Sequence, residues 1–147
     1  MPKFDQAMID RALERFNKID EDAKPEWGSM SLGQMRAHMV TAIRYSLSKD
    51  ELTPDEGSFL IKHIAGPLFV NGIVKFPKNV AKPKLYDASA PTATLDELKT
   101  EMDEFLTELN SGSFDPPPHP ALGDLGPVGW GKLHDVHADH HLRQFGV

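Results

Sequence analysis

Two short polar signatures constrain this chain more than any other feature: Ser31 with Gln34, and Thr94 with Glu97, each leading into apolar residues at three-and-four spacing. A Ser or Thr that caps the backbone N–H three residues on, with a Gln or Glu there reaching back, is the start signal of a helix. After the first signature, Met35, Met39, Ala42 and Ile43 give an apolar face to a helix expected from Leu32 to about Ser48. After the second, Leu95, Leu98, Met102, Phe105, Leu106 and Leu109 do the same, with a stop expected near Ser111 and Gly112. Upstream, Phe4, Met8, Ile9, Ala12, Leu13, Phe16 and Ile19 predict an amphipathic helix over residues 3–22. Pro54-Asp55-Glu56 opens a shorter, interrupted helix over residues 54–74, broken at Gly66-Pro67, and Pro127 opens a last one that runs toward the end. No strand alternation and no repeat appears, so the expected fold is all-α: a four-helix bundle with one additional short helix and long connecting loops.

The connections are equally marked. Residues 75–93 hold Pro77, Pro83 and Pro91 and little periodicity, which predicts a long connection draped over the body and a candidate lid. Its Lys75, Lys78, Lys82 and Lys84 are read as solubilising, with attraction of an anionic substrate as the alternative. Residues 111–129 form a constrained surface loop, since proline fixes φ, and His119 between its prolines is expected to order it. The acidic residues Asp96, Glu97, Glu101, Asp103, Glu104 and Glu108 read as a solvated face, and Trp27 and Trp130 as bundle-edge packing.

Composition narrows the function classes. A length of 147 residues suits one hydrophobic core, hence a single domain over 1–147. The formal charge of -6 without a basic stripe argues against nucleic acid or an anionic membrane as partner. Without cysteine there is no disulfide framework, thiolate nucleophile or zinc ribbon, so a transition-metal site must use histidine and carboxylate. The opening residues hold no apolar signal core and no stretch is long enough to span a bilayer, giving the expectation of a soluble, cytoplasmic protein. A phosphate-cradling glycine loop, a Ser-His-Asp arrangement and a dinucleotide fingerprint are all missing, which disfavours nucleotide cofactors.

The chemistry gathers near the end, where His134, His137, His140 and His141 lie within eight residues. On a helix His137 and His141 share a face at about 5–6 Å between Cβ atoms, close enough to grip one metal ion. At about 100° per residue, His134, His137 and His141 fall within a sector of roughly 60°, with His140 beside it and Asp135 and Asp139 elsewhere. His38, three residues after Met35 and four before Ala42, sits on or near the buried stripe of the second helix and is a candidate third ligand. Taken alone, His38 or His63 reads as a core or surface histidine. Three neutral imidazoles suit zinc, nickel or iron and leave positions open for water or substrate. His134 stands as candidate general base, or as third ligand in place of His38 if the second helix is rotated. His134, His140 and Gln144 are candidates to fix the ligand tautomers. Two alternatives compete: a non-catalytic metal-binding or stress-response protein whose metal is absent or structural, with the histidines as buried polar links between helices, and a histidine-based pH sensor.

Four segments, WGSMSLGQMRAHM, FPKNVAKP, HPALGDL and HADHHLRQFG, together resemble the DinB-like superfamily, from about residue 5 onward. They are most similar to a branch known mainly as a domain of unknown function. The resemblance implies a four-helix bundle, commonly a homodimer, whose metal is held by one histidine of the second helix and an H-x3-H pair of the last. Carried over by position, these are His38, His137 and His141. Many relatives continue the last metal histidine with Arg-Gly-Gln; here Leu142-Arg143-Gln144 follow, which leaves the metal expected and the reaction open. Some relatives resemble thiol-dependent transferases and isomerases, implying a small-molecule substrate and a low-molecular-weight thiol as co-substrate; a hydrolase is the other enzymatic expectation.

Overall fold

The computed structural model describes residues 1–51, 66–73, 75 and 90–147. These residues form five helices and no strand: α1 (Gln6–Phe16), α2 (Leu32–Ser46), α3 (Gly66–Val70), α4 (Leu95–Ser111) and α5 (Gly126–Gln144). Four long helices make the bundle and α3 is the additional short one, as the periodicity predicts. Both capping boxes form: the hydroxyls of Ser31 and Thr94 accept from the N–H groups of Gln34 and Glu97, whose side chains accept from the cap N–H in return. Gly112, at φ 77°, ends α4 in the left-handed conformation that glycine adopts without Cβ strain.

α1 is shorter than expected. Asp5 caps it by accepting from Met8 N–H, and Phe4 lies before the helix in the hydrophobic-staple position relative to Ile9, both buried. After Phe16 the N–H groups of Lys18 and Ile19 bond the carbonyls three residues back, the tight turn in which a helix ends. Phe4 and Ile19 therefore continue the apolar stripe without being helical. Gly66-Pro67, read as a break, stands at the start of α3, where proline's missing N–H is one that a first turn leaves unbonded. Residues 54–65 and 74 of the predicted interrupted helix, His63 among them, and residues 76–89 of the predicted connection lie outside the described residues.

α2 packs against α4 and α5, and α1 packs against the same two helices. Phe4, Ile9, Met35, Ile43, Leu98, Met102, Phe105, Trp130 and Leu142 fill the core between them. Trp130 is 2% exposed and its indole N–H donates to Pro117 O at 2.8 Å, so it belongs to the core rather than the bundle edge. Glu101 departs from the predicted solvated face: buried between helices, it accepts from Arg44 Nη1 at 3.0 Å and Lys49 Nζ at 2.9 Å. His119 does order its loop, with Nδ1 accepting from the N–H groups of Ala121 and Leu122 at 3.0 Å each. Among the described residues no helix is long and apolar enough to cross a membrane.

Candidate metal centre

α2 and α5 bring three imidazoles to one point. His137 and His141 project from one face of α5, four residues and so about one turn apart, while His38 comes from the first half of α2. His137 Nε2 lies 2.9 Å from His38 Nε2 and 2.9 Å from His141 Nε2. All three residues offer a ring nitrogen within 4.8 Å of the others; His141 is buried, and His38 and His137 are partly exposed.

The protons of this cluster are constrained from behind. Gln144 donates from Nε2 to Trp27 O at 2.8 Å, which turns its Oε1 toward His141 Nδ1, also at 2.8 Å. An amide oxygen only accepts, so His141 carries its proton on Nδ1 and presents a bare Nε2 to the cluster. His137 Nε2 can supply at most one N–H to two neighbouring nitrogens. Extra protons are disfavoured: burial first, then repulsion from neighbouring imidazoles, lowers His38 to about 4 and His141 to about 3, and holds His137 well below its ordinary range. Three neutral imidazoles thus aim more lone pairs than protons at one point.

A cation fits that arrangement. Zinc bound to imidazole at about 2.0–2.1 Å in a tetrahedral site places its nitrogens roughly 3.3 Å apart. The two 2.9 Å contacts would open by a few tenths of an ångström, with the His38–His141 pair, which lies within 4.8 Å, adjusting to the same spacing. These three residues could hold a metal ion; the geometry names no particular metal.

The other candidate residues are separated from this point. His134 is 3% exposed and its Nε2 lies 2.9 Å from Ser46 Oγ, whose own proton goes to Ile43 O at 2.6 Å. With that hydroxyl donating elsewhere, His134 Nε2 bears the proton that joins the two side chains. Phe4, Phe105 and Trp130 close around its ring. Burial lowers its pKa to about 3. His38, not His134, therefore joins the H-x3-H pair. His140 is buried with its ring edge-on to Trp27 and to His141. Asp135 and Asp139 face α1, accepting from Lys3 N–H at 2.8 Å and from Arg15 at 2.9 Å. On that side a cavity of about 300 Å³ lies between α1 and α5, lined by Asp135, Asp139, Leu142 and Arg143 but by none of the three clustered histidines.

Trp27 and Gly28 are contributors that side-chain spacing does not announce, because they act through a backbone carbonyl and a missing Cβ. The nearest signal in the sequence is glycine directly after tryptophan in the turn before α2.

The family described as "Protein of unknown function (DUF1569)" matches residues 3–146. No curated protein and no solved structure matches the chain.

Proposed function

Because the chain belongs to the DUF1569 family, whose description states no activity, we propose its function from its own site: a metal-dependent enzyme acting on a small molecule, on a bundle of the DinB-like kind. His38, His137 and His141 hold a divalent ion, with zinc or nickel the leading candidates and iron a third. The observation that carries this reading is the convergence of three neutral Nε2 groups with two contacts of 2.9 Å. When bound, such an ion lowers the pKa of a coordinated water or thiol and so provides a nucleophile at neutral pH.

The chain's own contribution is positioning and exclusion. Two facing helices set the ligand geometry, Gln144 fixes the tautomer of His141, and the low pKa values keep all three imidazoles neutral and metal-competent at pH 7. The partial exposure of His38 and His137 favours an open coordination position over a closed structural site. Thiol-dependent transfer or isomerisation ranks first among reactions and hydrolysis second, both on the DinB-like resemblance. His134 is assigned a structural part here rather than the base, because its Nε2 is engaged with Ser46 inside an aromatic enclosure.

Elemental analysis of untagged protein purified without added metal or chelator tests the reading. About one zinc, nickel or iron per chain is expected in the wild type, and none in His137→Ala or His141→Ala. Folded wild-type protein that contains no metal and takes up neither added zinc nor nickel would overturn it and leave the histidines as buried polar links.

A further inference from the structure

Gln144 stands where two otherwise separate parts of the site meet. It belongs to the last turn of α5, one residue short of the C-cap Phe145. Its backbone carbonyl accepts from Glu26 N–H at 2.7 Å and its side-chain amide donates to Trp27 O at 2.8 Å. The turn before α2 is thus clamped onto the end of α5 by two hydrogen bonds, across the gap between the two helices that carry the histidines. Gly28 makes the clamp sterically possible. It sits at φ +80°, and a Cβ there would lie 2.7 Å from Gln144 Nε2, a contact that would push the amide away.

We infer that Gln144 is a positioning residue: held by the Trp27 carbonyl through the space left at Gly28, it locks His141 in the Nδ1–H tautomer and keeps Nε2 bare for the metal. The inference rests on the metal reading for its purpose, but its structural core, the tautomer, exists without metal. The orientation of the amide is the decisive element. Trp27 O can only accept, so it selects the Gln144 rotamer in which nitrogen faces the turn and oxygen faces His141. Were the amide free to flip, its nitrogen would donate to His141 Nδ1 and drive the proton to Nε2, which blocks coordination. A glutamine fixed at both ends therefore turns a floppy side chain into a one-way proton selector, a role that packing alone would not supply. Groups of this kind, bonded behind a metal histidine, change metal affinity by about 10–100-fold when removed.

The test compares wild type, Gln144→Leu and Gln144→Glu by imidazole nitrogen NMR on metal-free protein and by zinc titration against a competing chelator. In the wild type, His141 is expected to show a protonated Nδ1 and an unprotonated Nε2. Gln144→Leu is expected to lose that single tautomer and to weaken zinc about 10–100-fold. Gln144→Glu loses the donor to Trp27 O but offers only acceptor oxygens to Nδ1–H, so the tautomer is expected to be kept where the carboxylate stays against His141. A wild-type His141 protonated on Nε2 would overturn the inference whatever the variants do. So would folded Gln144→Leu with wild-type tautomer and zinc affinity. Should Gln144→Leu not fold, the wild-type spectrum still decides. Wild type that shows the tautomer but takes up neither zinc nor nickel would reject the metal reading and leave the selector standing.

Discussion

At the scale of single residues, the same side chain type does three different jobs, and its immediate neighbours decide which. His137 faces two other imidazole nitrogens, His134 faces the Ser46 hydroxyl and His119 faces two backbone N–H groups. Removing the Ser46 hydroxyl leaves the His134 N–H buried without its acceptor. Ser46→Ala should therefore cost about 1–3 kcal/mol in chemical denaturation while leaving metal content unchanged. Adding His134→Phe to Ser46→Ala should recover much of that loss, since an apolar pair asks for no hydrogen bond. His119 gives a pH signature. Burial lowers its pKa from 6.5 to about 4, so the unfolded chain binds a proton that the folded chain refuses between those values. Its contribution to stability is full above pH 6.5 and is lost as the pH falls toward 4, at up to about 1.4 kcal/mol per pH unit for one proton. Urea melts from pH 7.5 downward should show this slope, and His119→Asn should reduce it; an equal slope in the variant would assign the acid sensitivity elsewhere.

The pairing of His137 with His141 was legible because four-residue spacing on a helix is unambiguous. His134 was not, for a geometric reason: an angular projection ignores displacement along the axis, and at about 1.5 Å per residue His134 lies roughly 10 Å from His141. Its partner Ser46 is equally invisible in spacing, being on another helix.

At the scale of elements, sequence signals succeed where they are chemical and fail where they are only periodic. The capping boxes at Ser31 and Thr94 specify hydrogen bonds, and both helices begin where they say. Thr94→Ala should cost about 1 kcal/mol, measured by thermal or urea denaturation, because it removes the acceptor of Glu97 N–H. The stripe from Phe4 to Ile19 is only apolar spacing, and it runs past both ends of α1 because a staple and a tight turn also place side chains in the core. Glu101 shows the complementary failure. Charge pattern assigns it to water, yet Arg44 and Lys49, a helix away, make its burial tolerable. No local spacing encodes that meeting.

At the scale of the whole molecule, α2 and α5 run antiparallel with a consistent register. His38 in the first half of α2 meets His137 and His141 in the second half of α5, and Ser46 at the end of α2 meets His134 near the middle of α5. One register therefore fixes both the candidate site and a core hydrogen bond, which is why the bundle architecture and the three clustered histidines are readable together. A metal that joins these two helices must stabilise the folded chain by mass action, by about 2.7 kcal/mol at a hundredfold excess over its dissociation constant. Zinc should accordingly raise the melting temperature of wild type and leave that of His137→Ala unmoved.

The most direct measurement is X-ray absorption at the metal edge on zinc-loaded protein, wild type beside His38→Ala. Three imidazole nitrogens at about 2.0–2.1 Å in the wild type, falling to two in the variant, is the expected result. A wild-type zinc shell of oxygen alone, or a shell that His38→Ala leaves unchanged, would contradict the assignment of His38, His137 and His141 as its ligands.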